Sequence, residues 1–399
     1  MQVQEKERIW TTSFISLALT QFILFTVFYA LLTTLPIFVI EELGGTQADA
    51  GLVVTFMLAA AILIRPFSAK ILDIVGRKKT LVYSVAIFAL TTFFYLGMKQ
   101  FIPLLLLRFI HGISFSIVTT ATSAIAADIV PNSRKGAGMG YFAMSMNLAV
   151  VAGPFIGLTL LQFVPFHAFF MVLSVFMVFS VMCTFLVRFK EQGHDAHAER
   201  PTLALKLSDM IETKAIPIAI VSGLVGIAYA SILSFVPVYA EGIGLEKTAS
   251  YFFLVFAIVM IIFRPYLGRA FDEKGARFVL VPSLVIFAVG LTMLGFTTTS
   301  IALLIAAGLV GLGYGTLLPG FQTVAIQSTE SHRSGHAIST FFIFYDLGIA
   351  TGAFVWGIII GGYGYETMYF VGAVLVLVTS VILYQLLSKA KQEQRHRAS

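Results

Sequence analysis

Three ionisable residues stand where the surrounding sequence is apolar, and these are the positions that could do chemistry. Asp346 lies about ten residues into an apolar run and is the only carboxylate well inside any such run. Arg108 and His111 lie one helical turn apart in another. An ionisable side chain at the centre of a bilayer costs roughly 2.5–3.5 kcal/mol on insertion scales, so those kept there mark ion or substrate pathways by default. A carboxylate whose surroundings alternate between wet and apolar can bind and release a proton. Asp346 is therefore the expected proton-coupling group, the alternative being a structural partner for Asn147 or Arg108. His111 could titrate as well, or serve as a hydrogen-bonded packing residue. Arg65 and Arg264 sit nearer the ends of their runs and read as side chains that snorkel to the membrane surface.

A second kind of position is a burst of charge between two apolar runs, from Arg65 to Lys79. Gly76 permits a close turn there. Arg77, Lys78 and Lys79 would hold the turn at an anionic lipid surface. Asp73 is a carboxylate at the membrane boundary that needs a positive partner, such as an arginine or a helix N-terminus. The same arrangement returns from Arg264 to Arg277, with Asp272 and Gly275 each 199 residues beyond Asp73 and Gly76 in a chain of 399. Gly112 and Gly311, Arg134 and Arg333, Asn147 and Asp346, and Gly153 and Gly352 are spaced by the same 199. The chain is an internal duplication.

Composition fixes the setting in which these groups must be held. Hydrophobic residues make up 58% of the chain and charged residues 12%, against about 45–50% and 25% in soluble domains. The apolar runs exceed the roughly 18 residues that mark a spanning helix. Twelve runs are expected, near 11–36, 48–70, 79–98, 102–127, 136–160 and 166–188, then 213–238, 249–270, 277–297, 300–326, 336–361 and 366–388. The fold class is an all-α membrane protein of two six-helix halves, 1–188 and 213–399, joined by a polar linker at 189–212. The first run lacks a cleavage site and reads as a retained helix. The single cysteine, Cys183, allows no disulfide within the chain.

Of the 26 lysines and arginines, 21 fall on the side of the spans that holds both ends and the linker, and only Lys99 and Lys247 on the other. The positive-inside rule makes both termini cytoplasmic. The net charge of +6 thus reflects membrane orientation and not nucleic-acid binding. Each half has an even number of spans, so the copies share one orientation, the geometry of a transporter with its site between two parallel repeats. Other apparent motifs fall away. His194 and His197 lie in the polar linker without fixed metal geometry, and the glycines from Gly311 to Gly315 lie inside a span with no strand before them. There is no phosphate-binding loop, no metal site and no cofactor, and an enzyme is not expected.

The stretch Asp73, Gly76, Arg77, Lys78, with its echo Asp272, Gly275, Arg277, resembles the signature Gly-x-x-x-Asp-Arg-x-Gly-Arg-Lys of the major facilitator superfamily. Ala69 replaces the leading glycine and Ile74 the second basic residue. Arg108, His111 and Gly112 resemble that family's Arg-x-x-Gln-Gly, with His111 in place of glutamine. Gly153, Pro154 and Gly157 resemble the antiporter signature Gly-Pro-x-x-Gly. Leu35 and Pro36, ending the first span, resemble a further motif of the twelve-helix drug:proton antiporters.

The resemblance implies a proton-driven exporter of drugs or a small amphipathic metabolite in the cell membrane, the alternative being a proton-linked uptake symporter for a sugar or organic solute. It implies that Asp73 docks on the cytoplasmic end of helix 11, near Ser334 and Gly335, as a conformational latch, joined by Asp128 with Arg77 or Arg134. It gives Arg108 a role in proton transfer. It places Gln21, Tyr29, Asn147, Tyr229, Tyr314 and Gln322 along a central cavity as candidate contacts for a small-molecule substrate. The remaining partners it implies are protons and the lipid bilayer, with the chain working as a monomer.

Overall fold

A computed structural model describes residues 8–131, 135–188, 211–330 and 334–398, apart from a few side chains. Among the described residues it is helical throughout, with no strand. No water reaches backbone groups inside a bilayer, so an apolar run can cross it only by closing its hydrogen bonds within itself, as a helix. The helices are α1 (Thr12–Glu41), α2 (Gln47–Val75), α3 (Arg77–Phe94), α4 (Phe101–Ile129), α5 (Lys135–Leu161), α6 (Phe166–Leu186), α7 (Ile216–Gly242), α8 (Glu246–Lys274), α9 (Ala276–Gly295), α10 (Ser300–Tyr314), α11 (Leu317–Gln327) and α12 (Ser334–Ala398).

Among the described residues eleven stretches are long and apolar enough to span. One of them, His336–Ser388, has 53 residues and at 1.5 Å per residue would reach about 80 Å, more than twice the hydrocarbon thickness. Gly364 divides it, with φ 81° and ψ 173°. Twelve crossings result, as expected from the sequence. The tenth expected span is itself broken: α10 stops at Tyr314 and α11 begins at Leu317.

Two expected ends shift. Pro36 does not end the first helix, which runs on to Glu41 with the proline inside it. The expected turn around Asp73 shrinks, because α2 continues to Val75 and only Gly76 separates it from α3. A proline frees one backbone carbonyl and donates nothing, a loss that membrane helices tolerate when neighbours satisfy the freed group.

Many hydroxyls inside the helices bond to the carbonyls of their own helix. The hydroxyls of Ser84 and Thr92 donate to carbonyls four residues back, at 2.6 and 2.8 Å. The start of α2 is fixed by a reciprocal cap in which the Asp49 carboxylate accepts from the Thr46 amide at 2.9 Å while the Thr46 hydroxyl accepts from the Asp49 amide at 3.2 Å.

Contacts divide the chain into two compact units, residues 1–32 with 59–204 and residues 33–58 with 205–399. In the first unit α3 packs against α4 and α6, and Gln21 of α1 accepts a hydrogen bond from Thr122 of α4 at 2.6 Å. In the second, α7 packs along α12, and α9 along α10 and α12. Residues 33–58 join the second unit through α12, where the Thr55 hydroxyl donates to the Ala350 carbonyl at 2.6 Å.

Candidate functional site

The two duplicated hairpins turn on one glycine each. Gly76 has φ 94° and Gly275 φ 87°, values open to glycine and strained for any residue with a Cβ. With the turn reduced to one residue, the basic residues that follow are pulled in towards the helices of their own half. The Arg77 guanidinium pairs with the Asp128 carboxylate at the end of α4. The Lys78 ammonium donates to the carbonyls of Thr184 and Val187 at the end of α6. The Thr184 carbonyl also accepts from the Val187 amide at 3.3 Å; both carbonyls stand at the negative end of the helix dipole, so a cation there is stabilising.

Lys78 is thus a helix cap, where its sequence setting suggested only a charge at the lipid surface. Arg277 stands 199 residues on and also reaches another helix of its own half, though not its terminal carbonyls. Its guanidinium lies 4.5 Å from the centre of the Tyr384 ring and donates to the Ser388 hydroxyl at 3.1 Å, at the end of the last spanning segment. The Arg77–Asp128 pair has no such echo, since the matching positions are Ala276 and Gln327. Asp272 is exposed at the end of α8. The side chains of Asp73 and Asn147, the residues Arg134 and Arg333, the side chains at Ser334 and Gly335, and the linker histidines His194 and His197 lie outside the described residues.

Within the first unit Arg108 and His111 are fully buried. The structure joins them through a third residue, Tyr95, in a 3₁₀ turn at the end of α3. The Tyr95 hydroxyl is 2.9 Å from His111 Nδ1 and accepts from Arg108 Nη1 at 3.4 Å. Phe88 of α3 covers the imidazole with ring centres 3.9 Å apart, and Phe170 of α6 stacks on Tyr95 at 5.5 Å.

Gly153 lets α5 lie directly on α1: a Cβ there would fall 2.6 Å from the Tyr29 Cβ and 2.7 Å from the Thr26 carbonyl oxygen. Gly352 repeats the contact between α12 and α7, where a Cβ would fall 2.6 Å from the Ile227 carbonyl oxygen. Close approach is common to both halves, and Pro154 is the part without a counterpart. Pro154 and Gly157 are buried in α5.

In the second unit Tyr229 of α7 and Tyr314 of α10 stack face to face, with centres 3.9 Å apart and planes 9° apart. The Tyr314 hydroxyl is hydrogen-bonded to that of Tyr345 on α12. Asp346 is the next residue, half-buried. Two of the expected cavity residues therefore come together with a tyrosine that sequence reasoning missed, beside the intramembrane carboxylate. Gln322 lies half-buried on α11, and Tyr29 is half-buried against Phe25 and Phe28. No group of three or more potential metal ligands forms among the described residues.

The model of the Major Facilitator Superfamily matches residues 17–274 and again residues 246–399. The chain belongs to the major facilitator superfamily. Among its relatives are the multidrug resistance protein MdtG of Klebsiella pneumoniae, 28% identical over 389 residues and 91% of each chain, and MdtG of Escherichia fergusonii, 25% identical over 403 residues, 96% of this chain and 97% of that one. Solved structures of superfamily transporters share its fold. The nucleoside transporter NupG has a TM-score of 0.73 at 15% identity over 94% of this chain and 99% of its own. A POT family transporter in complex with a thioalcohol-conjugated peptide has a TM-score of 0.76 at 14% identity, covering 94% and 96%.

As a superfamily member the chain is a multi-pass membrane transporter and not an enzyme. The Gly76 and Gly275 hairpins hold the two stretches that resemble the superfamily's signature. Tyr95 and Tyr345 lie outside every motif that identified it, and no spacing marked them. The one available signal was chemical: a buried arginine needs an acceptor, and a tyrosine in the adjoining helix end can supply one.

Proposed function

We propose that this transporter is a proton-coupled antiporter of the inner membrane that exports drugs or small amphipathic metabolites by alternating access. The observation that carries this reading is the similarity to MdtG multidrug resistance proteins, which extends over nine-tenths or more of both chains. The second unit supplies a suitable chemistry. Tyr229 and Tyr314 stack face to face and are buried, the Tyr314 hydroxyl is hydrogen-bonded to that of Tyr345, and Asp346 is the next residue in the chain. Tyrosines join an apolar ring to a hydroxyl, a chemistry that suits an amphipathic solute.

In the proposed cycle Asp346 takes up a proton from outside. Substrate arriving from the cytoplasm displaces it, and release of that proton inward drives the return. Moving one charge through 100 mV is worth about 2.3 kcal/mol, enough to hold a substrate gradient of roughly 50-fold. The ion pair of Arg77 with Asp128 and the charge of Asp73 are the elements proposed to bias one access state. A ligand or proton shifts such an equilibrium only by its differential affinity for the two states.

The test is transport into inverted membrane vesicles, with a panel of amphipathic dyes and a pH reporter. The parent is expected to accumulate substrate in acid-loaded vesicles and to release protons from them when substrate is added. Asp346→Asn is expected to lose accumulation while still equilibrating substrate down its gradient. Unchanged proton release in Asp346→Asn refutes the proton site, and proton movement in the same direction as substrate refutes export by antiport.

A further inference from the structure

Arg108, Tyr95 and His111 form a chain whose hydrogens can be placed from donor and acceptor chemistry alone. A guanidinium donates, never accepts, and keeps its charge in proteins. The Tyr95 oxygen, 3.4 Å from Arg108 Nη1, must therefore accept. The phenol's single hydrogen is left for the group on its other side, His111 Nδ1, at 2.9 Å. An imidazole that accepts at Nδ1 carries its hydrogen on Nε2.

The surroundings admit no second arrangement. All three side chains are 0–1% exposed. His111 Nε2 is buried and has no hydrogen-bond partner among the described residues. The rings packed on the imidazole are those of Phe88 from α3 and Tyr95 from the end of that helix. Among the described residues Arg108 is the charged group that acts on it. A hydrogen on Nδ1 would point at the phenol's own hydrogen, which would have to turn away into apolar surroundings. A second proton on the ring would add a positive charge beside the guanidinium.

We propose that Tyr95 is a positioning residue which locks His111 in the Nε2–H tautomer, so that His111 is a fixed hydrogen-bond acceptor at Nδ1 and not a proton carrier. Sequence position and motif both made His111 a candidate for proton coupling, and the geometry assigns it the opposite part. On the proposed antiport reading, the proton that moves is left to Asp346. The tautomer itself does not depend on that reading.

The experiment is solid-state NMR of the full chain in liposomes, with ring-15N histidine, across about pH 5–8, the range in which an ordinary histidine changes charge. The His111 signals are those absent from His111→Gln, or from His111→Asn if the glutamine variant does not fold. The parent is expected to show one protonated nitrogen, Nε2, and one hydrogen-bonded acceptor nitrogen throughout that range. In Tyr95→Phe the hydrogen-bonded Nδ1 signal should be lost. A parent ring protonated at Nδ1, a doubly protonated ring within the range, or a Tyr95→Phe spectrum identical to the parent's would each overturn the proposal. A merely structural tyrosine would change stability without touching these signals. If Tyr95→Phe does not fold, the parent spectrum alone decides. In vesicles, His111→Gln can accept and donate but not titrate, and it should keep the parent's pH profile of transport; a shifted or flattened profile counts against a fixed tautomer. Failure of antiport would leave the spectra unchanged, so the two ideas fail separately.

Discussion

Replacing Lys78 by methionine keeps the apolar stem and removes the ammonium that caps α6. The carbonyls of Thr184 and Val187 then lose the ammonium, though Thr184 keeps the Val187 amide as a donor. A cation at a partly buried helix C-terminus contributes up to about 2 kcal/mol, and hydrogen bonds to a charged donor about 1.5–3 kcal/mol. Lys78 is only half-buried, so the lower figure is the better guide and the whole cap is worth about 2 kcal/mol. At 1.4 kcal/mol per tenfold, the last turn of α6 should open about 30 times more often. Hydrogen exchange read by mass spectrometry on the peptide covering 181–188 measures this directly. Lys78→Arg should restore protection, because a guanidinium keeps the charge and can also donate to the last carbonyls of a helix. Lys79→Met, which removes an exposed charge one residue on, should leave exchange there unchanged. Equal effects of Lys78→Met and Lys79→Met would show that both lysines act only at the lipid surface, and the capping argument would be wrong.

Three further expectations follow from the packing. Arg77→Ala and Asp128→Gln install the residues of the second half in the first; with the two side chains 37% and 23% exposed, their coupling in a double-mutant cycle of thermal stability should be about 1 kcal/mol or less, and a larger value would show that the pair is far better shielded than this. Gly348→Ala would drive a methyl group into the carbonyl of Gly223 where α12 crosses α7; overpacking of this kind costs about 1–3 kcal/mol, whereas Gly361→Ala meets nothing within 4 Å and should not lower the unfolding temperature in detergent. Gly76→Ala, at φ 94°, should destabilise the first hairpin by about 1–2 kcal/mol, and a variant as stable as the parent would contradict the strained turn.

The spans were legible because a bilayer leaves an apolar run no choice but helix, and the duplication was legible because 199 separates matching residues on both sides of each hairpin. Pro36 misled for a reason of the same kind. In water a proline commonly ends a helix, while in a membrane the alternative to continuing is exposed backbone, so α1 keeps its proline and goes on to Glu41. Arg108 and His111 could be flagged from cost alone, but Tyr95 could not. Its partners depend on how the end of α3 lies against α4, which no periodicity encodes. Lys78 shows the same limit: three successive basic residues read alike in sequence, and only the one-residue turn decides that the first meets a carboxylate, the second a helix end and the third the exterior.

That one-residue turn also carries a record of descent. Gly76 and Gly275 keep the same left-handed geometry, although the residues that follow them have diverged to Arg77 in one copy and Ala276 in the other. The one-residue joint therefore belongs to the ancestral half-length unit and was in place when it doubled. The charge pair with Asp128 was gained or lost afterwards, in one copy only.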